Sequence, residues 1–221
     1  MDRSAVFLPK SLGSFSLRLD GDAAAALRVL RLCGVHDDPL PLLPKGVCLI
    51  SVGVDDWFAR LSPWAAPPAF GAEPFTGGGP ETLSFLTDTL LPLLDESLGS
   101  GGQYLLAGYS LAGLFSLWAG YETDRFAAVA GVSPSVWFPG WTDYAAAHTP
   151  RARAVYLSLG GREERTRNPA MSTVGSTIRT QKALLERDGV PCVLEWNPGN
   201  HFRDAALRTQ KGIVWMAKQL T

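Results

Sequence analysis

From residue 47 onward, short apolar runs alternate with longer stretches whose apolar positions recur every three to four residues. The runs at 47–52, 104–107, 126–132, 154–159 and 191–196 have the length and bounding residues of buried strands. The periodic stretches at 81–98, 111–121, 171–188 and 204–220 read as helices. Pro80 and Gly99 bracket the first of these, and Gly189 closes the third. Pro92 predicts a kink or break inside 81–98. Such alternation of strand and helix implies an α/β architecture, a mostly parallel central sheet with helices on both faces. Before residue 47 the pattern weakens. Residues 15–19 alternate like an edge strand, 23–32 reads as a short helix or a helix followed by a strand, and 39–44 is a turn-rich connector. Residues 55–79 form a long segment rich in proline, glycine and aromatics, and connections of that length usually carry function.

Composition narrows this picture. A chain of 221 residues that is 46% hydrophobic can bury a full core, and one domain spanning 1–221 is expected. A formal net charge of −1 without a basic cluster leaves a nucleic acid or an acidic membrane surface no electrostatic footprint. Cys33, Cys48 and Cys192 are odd in number and widely spaced, which points to reduced, mostly buried thiols rather than a disulfide frame or a zinc site. Residues 1–10 have no adequate apolar core for a signal peptide, and no run approaches the length of a membrane span. A soluble, cytoplasmic protein is expected. No glycine-rich phosphate loop, metal-ligand cluster or dinucleotide fingerprint occurs, so neither a metal nor a cofactor is expected.

The candidate chemistry begins at Gly108-Tyr109-Ser110-Leu111-Ala112-Gly113, set between a predicted strand and a predicted helix. This is the sequence form of a nucleophile elbow, in which a serine sits on a strained strand-to-helix turn. The common pattern has glycine where Ala112 stands, a mild departure because alanine is still small. A free hydroxyl is a poor nucleophile near neutral pH and needs a base and an acid that orients the base. In α/β-hydrolases the order is serine, acid, histidine, each after a strand. Ser110 is the candidate nucleophile, Glu163 the candidate acid and His201 the candidate base. Glu164 is the adjacent alternative to Glu163, with Asp143 and Asp188 as weaker rivals because neither falls at a strand end. His36 and His148 lie in segments that read as surface. The Leu111 N–H would supply half of an oxyanion hole, and the main chain around Gly53, Val54 and Asp55 the other half. Trp57, Trp64, Trp137 and Trp141 fall in candidate loops on the same side and imply an aromatic acyl pocket. Arg60 could pair with an acidic substrate or with Asp55 or Asp56, and the structural pairing is the favoured reading.

With these residues in place, the chain from Cys48 onward resembles the putative-esterase branch of the α/β-hydrolases, the group of enterochelin esterases and esterase D-like enzymes. The resemblance is carried by Asp56-Trp57 through Ser62-Pro63-Trp64, the elbow, Ser133-Pro134-Ser135-Val136-Trp137-Phe138, the turn from Gly160 to Glu164, and Asn200-His201-Phe202. It implies a three-layer α/β-hydrolase fold, a Ser110-Glu163-His201 triad and a small-molecule ester as partner, with Trp137 near the mouth of the pocket. In some relatives a Ser-His dyad dominates. The short N-terminal part lacks the separate binding domain of some siderophore esterases, so a dedicated siderophore role is not expected. Two other functions use the same residues: acyl transfer to an alcohol, and a catalytically silent hydrolase fold that only binds. The natural ester and the oligomeric state are not legible.

Overall fold

A computed structural model of the chain describes residues 9–37 and 39–220. The expectation about a leader at residues 1–10 falls almost wholly outside them. In chain order the first elements are β1 (Ser11–Leu12), β2 (Phe15–Gly21), β3 (Leu27–Gly34), β4 (Val47–Val54), α1 (Trp57–Leu61), β5 (Ala65–Ala66), β6 (Phe75–Thr76), α2 (Gly79–Ser84) and α3 (Leu91–Leu98). There follow β7 (Gln103–Tyr109), α4 (Leu111–Glu122), β8 (Ala128–Val132), α5 (Trp141–Ala147), β9 (Ala154–Gly160), α6 (Val174–Arg187), β10 (Cys192–Asn197) and α7 (Ala205–Leu220).

Eight strands form one sheet in the order β1-β2-β4-β3-β7-β8-β9-β10, and β5 pairs with β6 in a separate hairpin. The six strands from β4 to β10 run parallel, while β2 and β1 add an antiparallel edge. The sheet is covered on both faces, and its strands show how. Leu106 of β7 and Val129 of β8 face a large core containing Leu114, Phe115 and Trp118 of α4. Their neighbours Leu105, Ala107, Ala128 and Ala130 face the other way, against Ile213 and Met216 of α7. Strands buried on both faces lose the polar alternation of a half-exposed strand, which is why they read as continuous apolar runs. The architecture is a three-layer α/β-hydrolase fold.

One local expectation is corrected and another takes a specific form. Residues 23–32 do not begin a helix; Leu27–Gly34 is a central strand between β4 and β7. Its polar interruptions, Arg28 and Arg31, are both buried. The Arg28 guanidinium reaches Asp95 at 2.9 Å, the Tyr104 hydroxyl at 3.0 Å and the Leu98 carbonyl at 2.9 Å, so it also caps the C-terminus of α3. Just before Pro92 the α-helix is interrupted, as expected, and the interruption is a change of helix type. A π-helical stretch, Phe85–Leu90, joins α2 to α3. That wider turn accommodates the ring of Pro92 and its missing N–H donor while the chain stays helical.

Candidate active site

The elbow is built by close approach. Ser110 has φ 58° and ψ −120°, a backbone conformation that side-chain-bearing residues rarely adopt. It is held from three sides. Its N–H donates to the Val132 carbonyl at 3.0 Å, and its own carbonyl accepts from Leu114 N–H and Ser135 N–H, each at 3.0 Å. Gly108 is required by packing: a Cβ there would lie 2.2 Å from the Ala112 carbonyl oxygen. Ala112 itself is fully buried and its methyl fits against Gly108, so the departure at this position leaves the elbow intact.

Ser110, Glu163 and His201, far apart in sequence, meet where the parallel strands end. His201 Nε2 lies 3.0 Å from Ser110 Oγ, and His201 Nδ1 lies 2.7 Å from Glu163 Oε2. The parallel pairing of β9 with β10 continues into their loops: Gly161 N–H donates to the Asn197 carbonyl at 2.8 Å and Arg162 N–H to the Gly199 carbonyl at 3.0 Å. The turn bearing Glu163 and the turn bearing His201 are thereby zipped together. Glu164 points elsewhere, over Gly175 of α6, with its carboxylate 3.6 Å from Arg179 and 40% exposed.

The Glu163 carboxylate is buried and fully engaged. Oε1 accepts from the Gly160 N–H at 2.6 Å, Ser133 Oγ at 2.8 Å and Arg208 Nη1 at 2.9 Å. Burial alone would push this carboxyl up, but the hydrogen bonds from His201, Gly160 and Ser133 hold it below its ordinary value. The motif around Ser133 now has a physical content. Ser133 bonds Glu163, Ser135 braces the elbow, Trp137 lines the cavity, and Phe138 packs on Trp64 and Phe75.

A cavity of about 500 Å³ opens at Ser110. Trp57, Phe58, Phe75 and Trp137 form much of its wall, Leu111 lies beside the serine, and Arg162 and Arg165 stand on its border. Phe202, next to His201, also borders it and is 88% exposed. Of this wall, Trp137 comes from the loop after β8, and Trp57, Phe58 and Phe75 come from the long segment 55–79. Ser62 Oγ pins it by accepting from Gly77 N–H and donating to the Phe58 carbonyl, both at 2.8 Å. Val54 ends β4 just before this segment and is buried.

Two of the four expected pocket tryptophans sit elsewhere. Trp141 opens α5, is buried, and packs on Tyr121 and Tyr144. Trp64 packs against Phe138 and Tyr144 and donates its indole N–H to the Pro139 carbonyl at 2.9 Å. Both bury ring surface behind the cavity wall. Arg60 pairs with Asp55 at 3.2 Å, as its spacing implied. Sequence reasoning missed Ser133 as a hydrogen-bond partner of Glu163, and it missed Arg208 altogether. The latent signal for Arg208 is its register. It lies one turn before Gly212 and two before Met216, on the buried stripe of α7.

Among the described residues, no group of three His, Cys, Asp or Glu side chains is placed to hold a metal ion, and no helix is long and apolar enough to cross a membrane. The thiols of Cys33, Cys48 and Cys192 are free.

The fold has solved counterparts. A siderophore hydrolase, EstA, from Aspergillus nidulans superposes with a TM-score of 0.67 at 18% identity, over 94% of this chain and 91% of that one. An IroE-like serine hydrolase from Shewanella oneidensis gives 0.71 at 16% identity, over 94% and 76%. An S-formylglutathione hydrolase from Agrobacterium tumefaciens gives 0.62 at 11% identity, over 94% and 90%. At such identities the likeness speaks for the fold. No curated protein sequence matches the chain. The model of the family described as "Putative esterase" matches residues 50–204, a stretch that runs from β4 past His201. The chain belongs to that family and is an ester hydrolase.

Proposed function

We propose that Ser110, His201 and Glu163 act as nucleophile, general base and orienting acid in the hydrolysis of a carboxylic ester through an acyl-serine intermediate. The observation that carries this reading is the unbroken hydrogen-bonded chain from Ser110 Oγ to His201 Nε2 at 3.0 Å and from His201 Nδ1 to Glu163 Oε2 at 2.7 Å. In the first half-reaction Ser110 Oγ attacks the ester carbonyl carbon while His201 Nε2 takes the hydroxyl proton. The carboxylate keeps the other ring proton on Nδ1 and stabilises the imidazolium. The tetrahedral oxyanion sits against the N–H of Leu111, which opens α4 and so has no helical acceptor of its own, and against a main-chain donor around Val54. Collapse breaks the bond to the leaving alcohol, which receives its proton from His201. Water, deprotonated by the same imidazole, then releases the acid and restores Ser110.

The aromatic wall formed by Trp57, Phe58, Phe75 and Trp137 supports an ester with a bulky apolar or aromatic acyl group. The solved counterparts bear names with unlike substrates, a siderophore and S-formylglutathione, so the substrate must be read from the cavity and not from the fold.

A fluorophosphonate probe tests the nucleophile: labelling of wild-type protein at Ser110 is expected, with none in Ser110→Ala. Wild-type protein that stays unlabelled while folded would overturn the triad. A panel of esters with one alcohol and acyl groups of increasing size tests the pocket. The expected optimum lies at large apolar acyl groups, and kcat/KM that falls steadily beyond acetyl would refute it.

A further inference from the structure

Arg208 is the one charged residue on the buried stripe of α7, and its side chain is 1% exposed. A guanidinium so far from water needs a counter-charge and acceptors for its N–H groups. The counter-charge and the acceptors of both terminal nitrogens come from the active site, while the buried Nε has no partner among the described residues. Nη1 donates to Glu163 Oε1 at 2.9 Å, to Ser133 Oγ at 3.1 Å and to the Tyr109 hydroxyl at 3.2 Å. Nη2 donates to the carbonyls of Pro198 and Asn200, at 2.9 and 3.0 Å. Those carbonyls belong to the turn that carries His201. The Tyr109 hydroxyl in turn donates to the carbonyl of His201 itself at 2.6 Å. One planar fork therefore grips the acid with one nitrogen and the histidine's turn with the other.

The surrounding backbone is arranged around this fork. Among the described residues, three without a glycine's freedom have positive φ: Ser110, Ser133 and Asp204. Ser110 bears the hydroxyl, Ser133 bonds the acid, and Asp204 immediately precedes α7 and accepts the Arg208 N–H at 2.9 Å. Gly160 leaves room for the same contact, since a Cβ there would lie 2.8 Å from Glu163 Oε1 and 2.9 Å from Arg208 Nη2.

We propose that Arg208 is a positioning residue that locks Glu163 and His201 into one unit, neutralising the buried carboxylate and committing its Oε1 so that only Oε2 is left for the imidazole. The proposal rests on the triad reading above. The titratable and charged groups facing Glu163 are His201 from the turn after β10, Arg208 from α7 and the Tyr109 hydroxyl from the end of β7. Without the guanidinium, the buried Glu163 carboxylate would lose its counter-charge, which favours its protonated form.

The experiment measures ester hydrolysis, and fluorophosphonate labelling of Ser110 across pH, in wild type, Arg208→Met, Arg208→Lys, Glu163→Gln and the double variant Glu163→Gln/Arg208→Met. Arg208→Met is expected to lower kcat by roughly 10²-fold, the scale of a misplaced catalytic geometry, with little change in KM, and to move the acid limb of both profiles to higher pH. Arg208→Lys keeps the charge but cannot span both turns, so the acid limb should stay near wild type while kcat still falls. In the Glu163→Gln background the same Met substitution should cost less than about 3-fold, because the negative charge that Arg208 answers is gone and the imidazole is already in the unproductive tautomer. A purely structural arginine would instead cost the same factor in both backgrounds with an unmoved acid limb, and that result overturns the proposal. If Arg208→Met does not fold, Arg208→Lys decides: wild-type kcat in that variant overturns it. Wild-type protein that fails to label at Ser110 would sink the triad reading itself. Labelling in wild type with Arg208 variants indistinguishable from it would sink this inference alone.

Discussion

Replacing Glu163 with glutamine probes the site more sharply than any truncation, because the two carboxylate oxygens have different surroundings. Oε1 accepts from three donors, Gly160 N–H, Ser133 Oγ and Arg208 Nη1, and Oε2 faces only His201 Nδ1. A glutamine must place its single carbonyl oxygen at one of these sites. Turning its NH₂ toward the three donors would strand each of them in a buried setting, at about 1–3 kcal/mol apiece. The oxygen therefore takes the Oε1 site, and the NH₂ donates to His201 Nδ1. That nitrogen must then be the ring's acceptor, so the proton sits on Nε2, facing Ser110, and the base is in the wrong tautomer to accept the serine proton. The expected loss in kcat is about 10⁴-fold, roughly 5 kcal/mol at 1.36 kcal/mol per decade. Glu164→Gln is the control: its carboxylate is 40% exposed and 3.6 Å from Arg179, so turnover should stay within about 2-fold of wild type. Hydrolysis of a chromogenic ester, with thermal melts to verify folding, reads both. A Glu163→Gln enzyme within 10-fold of wild type, or a larger loss in Glu164→Gln, would refute this reasoning.

Ser110→Gly should abolish turnover yet melt higher than Ser110→Ala, because glycine relieves a backbone at φ 58° that otherwise costs on the order of 1–3 kcal/mol; a lower midpoint for the glycine variant would contradict the strain. Gly108→Ala would drive a methyl to 2.2 Å from the Ala112 carbonyl oxygen, rigid backbone that cannot swing aside. Urea unfolding should show about 3 kcal/mol lost, and a change under ~1 kcal/mol would mean the elbow relaxes freely. Glu163 is held below its ordinary value of 4.5, so its contribution to stability is complete above that pH and is lost as pH falls from there through the folded-state value. The gap in melting temperature between wild type and Glu163→Gln should therefore narrow on acidification below about pH 4.5, and a constant gap would show that the carboxylate's ionisation is not linked to folding.

Much of this site is readable from local pattern for a topological reason. In a parallel sheet every strand ends on the same edge, so a serine, a glutamate and a histidine that each follow a buried apolar run must arrive at neighbouring positions. The elbow needs only close-packed small residues at Gly108 and Ala112, and these are visible in the chain. What stayed illegible depends on partners distant in sequence. Arg28 made β3 look unlike a central strand because its charge is answered by Asp95 and Tyr104, 67 and 76 residues away. Trp64 and Trp141 share the composition of Trp57 and Trp137, and only packing sorts wall from backing. Glu163 and Glu164 are chemically alike neighbours; the direction of one turn hides the first against His201 and lays the second on α6. The sequence by itself determined the alternation of strands and helices and the order serine, acid, histidine, since hydrophobic period and turn residues act over a few positions. Tertiary structure alone decided which carboxylate is buried and that Arg208 holds it, because burial and charge compensation are properties of contacts between segments.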